Sequence, residues 1–157
     1  MNKRHKQSLQ DAKMLFTSKE LAFAAGASSP NLFLNNVGRY NFRISAEKRI
    51  RGANFYTAYN LGKAYLIGAL ESQMIPTSHI PRLFDRIDWN AYALAIDKML
   101  NRELDRLYVV FPAYEPEETF TGILTKPEDV GRAVLDYGHL TVVDLGNFIA
   151  AKLDGLI

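Results

Sequence analysis

The sequence predicts an α+β chain, mainly helical, built in two parts. Three observations carry this. Two short helical segments with explicit start signals flank Gly26, and a basic segment of alternating polarity comes after them. Behind these, short β-branched and aromatic runs alternate with capped helical patterns. With 157 residues, 48% hydrophobic and 23% charged, the chain has the length of one domain or two small ones and a globular composition.

Residues 1–14, polar and rich in Lys and Arg, read as a flexible basic arm. Lys3-Arg4-His5-Lys6 looks like the start of a secretion signal, but no apolar segment comes after it. Thr17-Ser18-Lys19-Glu20 is a capping box, in which hydroxyl and carboxylate satisfy opposite orphan amides of a helix start. Phe16 and Leu21 stand at the positions of a hydrophobic staple. The helix runs to about Ala25, and Gly26 turns the chain out of it. Ser29-Pro30 restarts a helix, Ser as N-cap and Pro at the first helical position. On it Leu32, Phe33 and Val37 face inward, Asn31 and Asn35 outward. Two short helices joined through Gly26-Ala27-Ser28 have the pattern of a helix-turn-helix, whose first helix braces the second in a DNA groove.

Arg39-Tyr40-Asn41-Phe42-Arg43-Ile44 alternates like a half-buried strand, Lys48-Arg49-Ile50-Arg51 less cleanly, and Gly52-Ala53-Asn54 reads as a turn. A two-stranded basic ribbon between residues 39 and 56 then forms a wing beside the second helix. Its Arg39, Arg43, Lys48, Arg49 and Arg51 suit phosphate contact. Tyr40, Phe42 and Ile44 either anchor the ribbon to a duplex or simply pack it. A longer helix runs from near Thr57 to about Gln73, with Leu61, Ala64, Tyr65, Gly68 and Ala69 on a closely packing face. Met74-Ile75-Pro76 ends it, and Thr77 or Ser78 caps a short helix through Phe84.

Charge divides the chain. Residues 1–51 hold ten Lys/Arg against three Asp/Glu, a balance of +7, whereas residues 52–157 hold nine against fourteen, a balance of −5. Such a split points to a polyanion-binding front and a differently employed back, or to a basic solvated face with no partner.

The stretches Phe16 to Ala22, Ala25 to Leu32, Phe55-Tyr56-Thr57 and Leu66 to Pro76 together resemble the DNA-binding domain of MerR-type regulators, a winged helix-turn-helix. The resemblance spans about residues 15–86. Leu34-Asn35-Asn36-Val37 stands where that family usually carries an Arg-Tyr-Tyr step, and the ribbon is longer than usual. It implies a winged helix-turn-helix domain at 15–87. Ser28, Ser29, Asn31 and Asn35 become groove candidates, and Arg39, Arg43, Lys48, Arg49 and Arg51 serve the wing.

Residues 88–157 read as a small helix-hairpin-helix-helix module for dimerisation or regulation, with the domain boundary near Arg86 to Asp88. The helix from Asp88 to Arg102 is nearly surrounded by apolar groups (Trp89, Tyr92, Leu94, Ala95, Ile96, Met99 and Leu100), as in a core or a subunit interface. Leu107 to Phe111 and Thr119 to Leu124 form a hairpin around an acidic turn at Ala113 to Glu118. Thr125-Lys126-Pro127-Glu128 is a capping box for a helix that Gly138 stops. Leu140-Thr141, with Asp144, opens the last helix, whose stripe of Val142, Leu145, Ile149, Leu153 and Leu156 either completes the module's core or pairs two copies.

The absence of Cys removes disulfides, thiolate metal sites and cysteine nucleophiles. His5, His79 and His139 are isolated, and no phosphate-loop, dinucleotide or nucleophile-elbow motif occurs, so no metal, cofactor or enzymatic activity is expected. The longest apolar runs fall far short of the ~20 residues that a bilayer requires. The expectation is a cytoplasmic regulator of bacterial or phage type. It binds double-stranded DNA as a homodimer through residues 88–157, with no membrane partner, and any small-molecule effector is unidentified. The rivals are an architectural, excisionase-like DNA binder and a protein-interaction adaptor.

Overall fold

The computed structural model describes residues 15–113 and 120–157, and the protein is α+β. The basic arm expected at 1–14 and the acidic turn at 114–118 lie outside the described residues. The chain forms two compact units, Met1–Ser72 and Gln73–Ile157.

The first unit runs β1 (Phe16–Thr17), α1 (Ser18–Ala24), α2 (Pro30–Tyr40), β2 (Lys48–Ile50), β3 (Ala53–Tyr56) and α3 (Ala58–Ser72). Its capping box forms as expected: the Glu20 amide donates to Thr17 Oγ1 at 3.2 Å, and the Thr17 amide donates to Glu20 Oε2 at 2.8 Å. Gly26, at φ +65°, closes α1 in a Schellman turn, with its own amide on the Phe23 carbonyl and that of Ala27 on Ala22. Ser29 caps α2 by accepting the Leu32 amide at 3.2 Å, and Pro30 holds the first helical position.

Beyond that point the expected ribbon needs correction. Helix α2 continues through Tyr40, so Arg39 and Tyr40 sit in its last turn and residues 39–44 form no strand. Asn41, in the left-handed region at φ 51°, ends the helix. The alternation in the sequence is real as burial: Phe42 and Ile44 are buried, while Asn41, Arg43 and Ser45 are exposed. Its cause is a loop pinned from α3, where Asn60 Nδ2 donates to the Ser45 carbonyl at 2.8 Å and Lys63 Nζ to the Arg43 carbonyl at 2.9 Å. Period-two burial reports which side chains are anchored, and carries no information about a ladder partner.

The hairpin is therefore shorter. β2 pairs antiparallel with β3 in the register Lys48↔Phe55, Arg49↔Asn54 and Ile50↔Ala53, which makes Arg51-Gly52 the turn instead of Gly52-Ala53-Asn54. β1 adds to the other edge of β3, giving the order β1-β3-β2. Thr17 thus serves both as strand partner of Phe55 and as the N-cap of α1, which couples the hairpin directly to the helices. Helix α3 approaches α1 at Gly68, where an added Cβ would lie 2.6 Å from the Ala25 carbonyl oxygen.

In the second unit a 3-10 turn (Thr77–His79) leads into α4 (Ile80–Phe84), then α5 (Trp89–Leu100), β4 (Tyr108–Pro112), β5 (Ile123–Leu124), α6 (Pro127–Tyr137), β6 (Leu140–Asp144) and α7 (Leu145–Leu153). Neither Thr77 nor Ser78 caps a helix by its side chain. The break between units falls at Ser72 and Gln73, upstream of the expected 86–88, because α4 is tied to α5 and β4. Trp89 Nε1 donates to the Phe84 carbonyl at 3.1 Å, the two rings meet edge-on at 5.2 Å, and Arg86 Nη1 donates to the Pro112 carbonyl at 2.8 Å.

Five further expectations change here. Leu140–Asp144 is a strand, paired along its whole length with β4, so the order is β5-β4-β6 and the last helix starts only at Leu145. The β-branched Thr141, Val142 and Val143 favour that pairing, and Asp144 caps α7 by accepting the Asn147 amide at 3.1 Å. The strand expected at 119–124 narrows to Ile123–Leu124 among the described residues. The Thr125 capping box does not form, because Lys126 is the N-cap and Thr125 lies one residue too early. Helix α5 is buried on one side only: Tyr92, Ala95, Ile96 and Met99 are buried, whereas Leu94 is 56% exposed. The C-terminal stripe divides likewise, Leu145 and Ile149 being buried in the chain itself while Leu156 is 75% exposed. Among the described residues, no helix is long and apolar enough to cross a membrane.

Candidate functional site

Helix α2 packs through one side and leaves the other open. Phe33 is buried and Val37 and Tyr40 are half-buried, while Asn31, Leu32, Asn35, Gly38 and Arg39 are exposed. At about 100° per residue, the exposed positions fall within one arc of roughly 120°. Asn31 and Asn35 therefore present their amides as expected, one turn apart. Leu32 does not face inward. It is 49% exposed and lies on the same arc beside Arg39, which the angular arithmetic alone foretells once the helix is known to reach Tyr40.

The two serines part ways. Ser28 is exposed in the turn before α2, whereas the Ser29 oxygen is committed to its cap. Ser29 holds the helix start in place, and its role is support.

The cations occupy three places instead of one ribbon: a helix end, a loop and a hairpin. Arg39 ends α2, its guanidinium 5.3 Å from the centre of the Tyr40 ring, and that ring in turn stacks on buried Phe42 at 5.7 Å. The aromatics thus pack the loop and steady Arg39. Arg43 is exposed in the loop at φ 56°, a left-handed conformation that costs a non-glycine residue about 1 kcal/mol. The bond from Lys63 to its carbonyl holds it there. Lys48, Arg49 and Arg51 are exposed on the hairpin and make no ion pair with a described residue. Arg51 and Gly52, at φ 50° and 82°, have the positive φ that a type I′ turn requires at both central positions. Residues 15–72 carry seven Lys/Arg and three Asp/Glu, a balance of +4.

Sequence reasoning missed Lys63, which sits behind this surface. Burial, and then the Arg43 charge, hold its ammonium below the ordinary lysine value of 10.5. The folded state therefore binds fewer protons than the unfolded state between that depressed value and 10.5. Stability from Lys63 rises with pH across this window. The stability of the wild-type chain relative to Lys63→Met is expected to increase from neutral pH toward pH 10, as read by urea unfolding of both proteins. A difference that stays flat or falls contradicts this account of the site.

The surface supplies amides, one aliphatic side chain and cations on a rigid support. It is shaped for hydrogen bonding and charge neutralisation, with no nucleophile and base brought together among its described residues. Among the described residues, no group of three or more His, Asp or Glu could hold a metal ion. No protein-family model and no curated protein matches the chain.

Proposed function

We propose that the chain is a sequence-specific DNA-binding transcriptional regulator of bacterial or phage type. In this reading the first unit acts as a winged helix-turn-helix of the MerR type, and the second pairs two copies into a homodimer. The carrying observation is the single exposed face of α2, bearing Asn31, Leu32, Asn35 and Arg39, on the same unit as a basic hairpin that makes no ion pair among the described residues. α2 enters the major groove. The amides of Asn31 and Asn35 pair with the N6 and N7 edge of adenine, and Leu32 meets a thymine methyl. Arg39, Lys48, Arg49 and Arg51 neutralise flanking phosphates, with Arg43 beside them.

The salt dependence of duplex binding tests the reading. Each phosphate contact adds about −0.9 to the slope of log affinity against log salt, so four contacts give a slope near −3.6. An affinity that barely changes between low and moderate salt overturns it.

The turn residue separates fold from binding. Asn accepts the left-handed conformation more readily than Arg, so Arg51→Asn is expected to stabilise the first unit by up to about 1 kcal/mol. The same change removes a phosphate contact and flattens the salt slope by about 0.9. Thermal unfolding and a salt titration of binding check the two effects in one protein.

A further inference from the structure

We propose that strand β6 is where two copies of this chain join: its outer edge pairs antiparallel with the same edge of a second copy, across a two-fold axis at Val142. The inference rests on the homodimer part of the reading above and is independent of DNA binding.

The alternation of the ladder identifies the groups on offer. Along a strand each residue turns its N–H and C=O to the same side, and successive residues turn to opposite sides. Val110 donates its amide to the Gly122 carbonyl at 2.9 Å, on the β5 side of β4, whereas Ala113 donates to the His139 carbonyl at 3.3 Å, on the β6 side. Odd-numbered residues of β4 therefore bond β6. In the register Phe111↔Thr141 and Val109↔Val143, this commits the backbone of Thr141 and Val143 to β4. Leu140 and Val142 turn theirs outward. No bond among the described residues takes up those outward groups. Exposure agrees: in β4 only Tyr108 escapes burial, while in β6 only Val143 is buried.

The edge fits a copy of itself. Exposed edges are commonly blunted by Lys, Pro or a bulge. Leu140-Thr141-Val142-Val143 has no charge and no Pro, and pairs with β4 residue for residue. Turned about a two-fold axis through Val142, β6 meets itself along its whole length. Val142 faces Val142 and exchanges two hydrogen bonds with it, Thr141 faces Val143, and Leu140 faces Asp144. Charge sets the direction. Antiparallel pairing places each Asp144 opposite an aliphatic side chain and about 14 Å along the strand from its twin, whereas parallel pairing opposes carboxylate to carboxylate. The assembly also closes. At the sheet's other edge β5 spans only Ile123–Leu124 among the described residues, too short for a comparable ladder, so association stops at two copies.

Sedimentation equilibrium of the full chain and of Val142→Pro, together with disulfide trapping, tests this. Proline at this position removes an amide that no bond among the described residues uses, a placement that edge strands tolerate. It leaves one acceptor unpaired in each copy of the dimer. Dimer affinity is therefore expected to fall about a hundredfold or more, with the far-UV circular dichroism of the parent retained. The chain holds no Cys, so a single introduced cysteine reports its own position. Val142→Cys is expected to form a disulfide-linked dimer on mild oxidation, because directly opposed residues lie within the Cα separation that a disulfide spans. Leu94→Cys and Leu135→Cys, at exposed positions of α5 and α6, are expected to stay unlinked. A dimeric parent whose Val142→Pro variant associates equally well, or which links through Leu94→Cys or Leu135→Cys and not through Val142→Cys, overturns the strand pairing and leaves the homodimer standing. A parent that is monomeric at every concentration overturns both.

Discussion

Reversing both arginines of the hairpin, in an Arg49→Glu, Arg51→Glu double variant, is expected to weaken duplex binding by about a hundredfold or more while the first unit stays folded. Each arginine is exposed and without an ion-pair partner among the described residues, so neither substitution breaks an internal contact. A charge-assisted hydrogen bond contributes about 1.5–3 kcal/mol, and two lost contacts alone reach a hundredfold. Two introduced carboxylates add repulsion from the phosphates. The salt slope should flatten by about 1.8, one increment for each contact removed. Binding that survives with its slope intact means that the hairpin does not touch the backbone.

The second large effect falls on the support instead of the surface. At Gly68 an added Cβ would meet the Ala25 carbonyl oxygen at 2.6 Å, its carbon at 2.7 Å and its Cα at 2.9 Å. All three are backbone atoms, and Ala25 sits just where α1 closes, so relief requires parting α1 from α3. Alanine gains about 1 kcal/mol of helix propensity over glycine, but overpacking against fixed backbone costs about 1–3 kcal/mol. Gly68→Ala is therefore expected to be net destabilising and Gly68→Val more strongly so. Gly38, also helical, would place a Cβ in open space, so Gly38→Ala is expected to be stabilising. Urea unfolding of the three variants decides it. A Gly68→Ala protein as stable as the parent shows that the close approach does not hold the helices.

These supports explain how far the sequence could be read. Thr17 with Glu20, Ser29 with Pro30, Gly26 and Gly138 act within three or four residues of themselves, so these starts and stops of helices were legible. Features that depended on a distant partner were not. β6 exists because β4 lies beside it, and its short β-branched run, Thr141 to Val143, does not by itself tell a paired strand from the opening of a helix. The loop after α2 imitates a strand because Asn60 and Lys63, far along the chain, anchor it.

The candidate surface divides in the same way. Exposure of Arg39, Arg43, Lys48, Arg49 and Arg51 could be read from charge, which avoids burial without a partner. Their distribution between a helix end, a loop and a hairpin could not, because it depends on the length of α2 and the register of β2 on β3. Leu32 was misjudged by its chemistry: an aliphatic residue on an amphipathic helix reads as core, whereas its angle sets it beside Arg39.

Selection of bound duplexes from a random library, with the parent protein and with Asn31→Ala and Asn35→Ala, tests the face of α2 most directly. The expected result is a consensus containing adenine that each alanine variant loses at one position while keeping salt-sensitive bulk binding. Failure of the parent to enrich any sequence, or an identical consensus from all three proteins, contradicts a base-reading role for this helix.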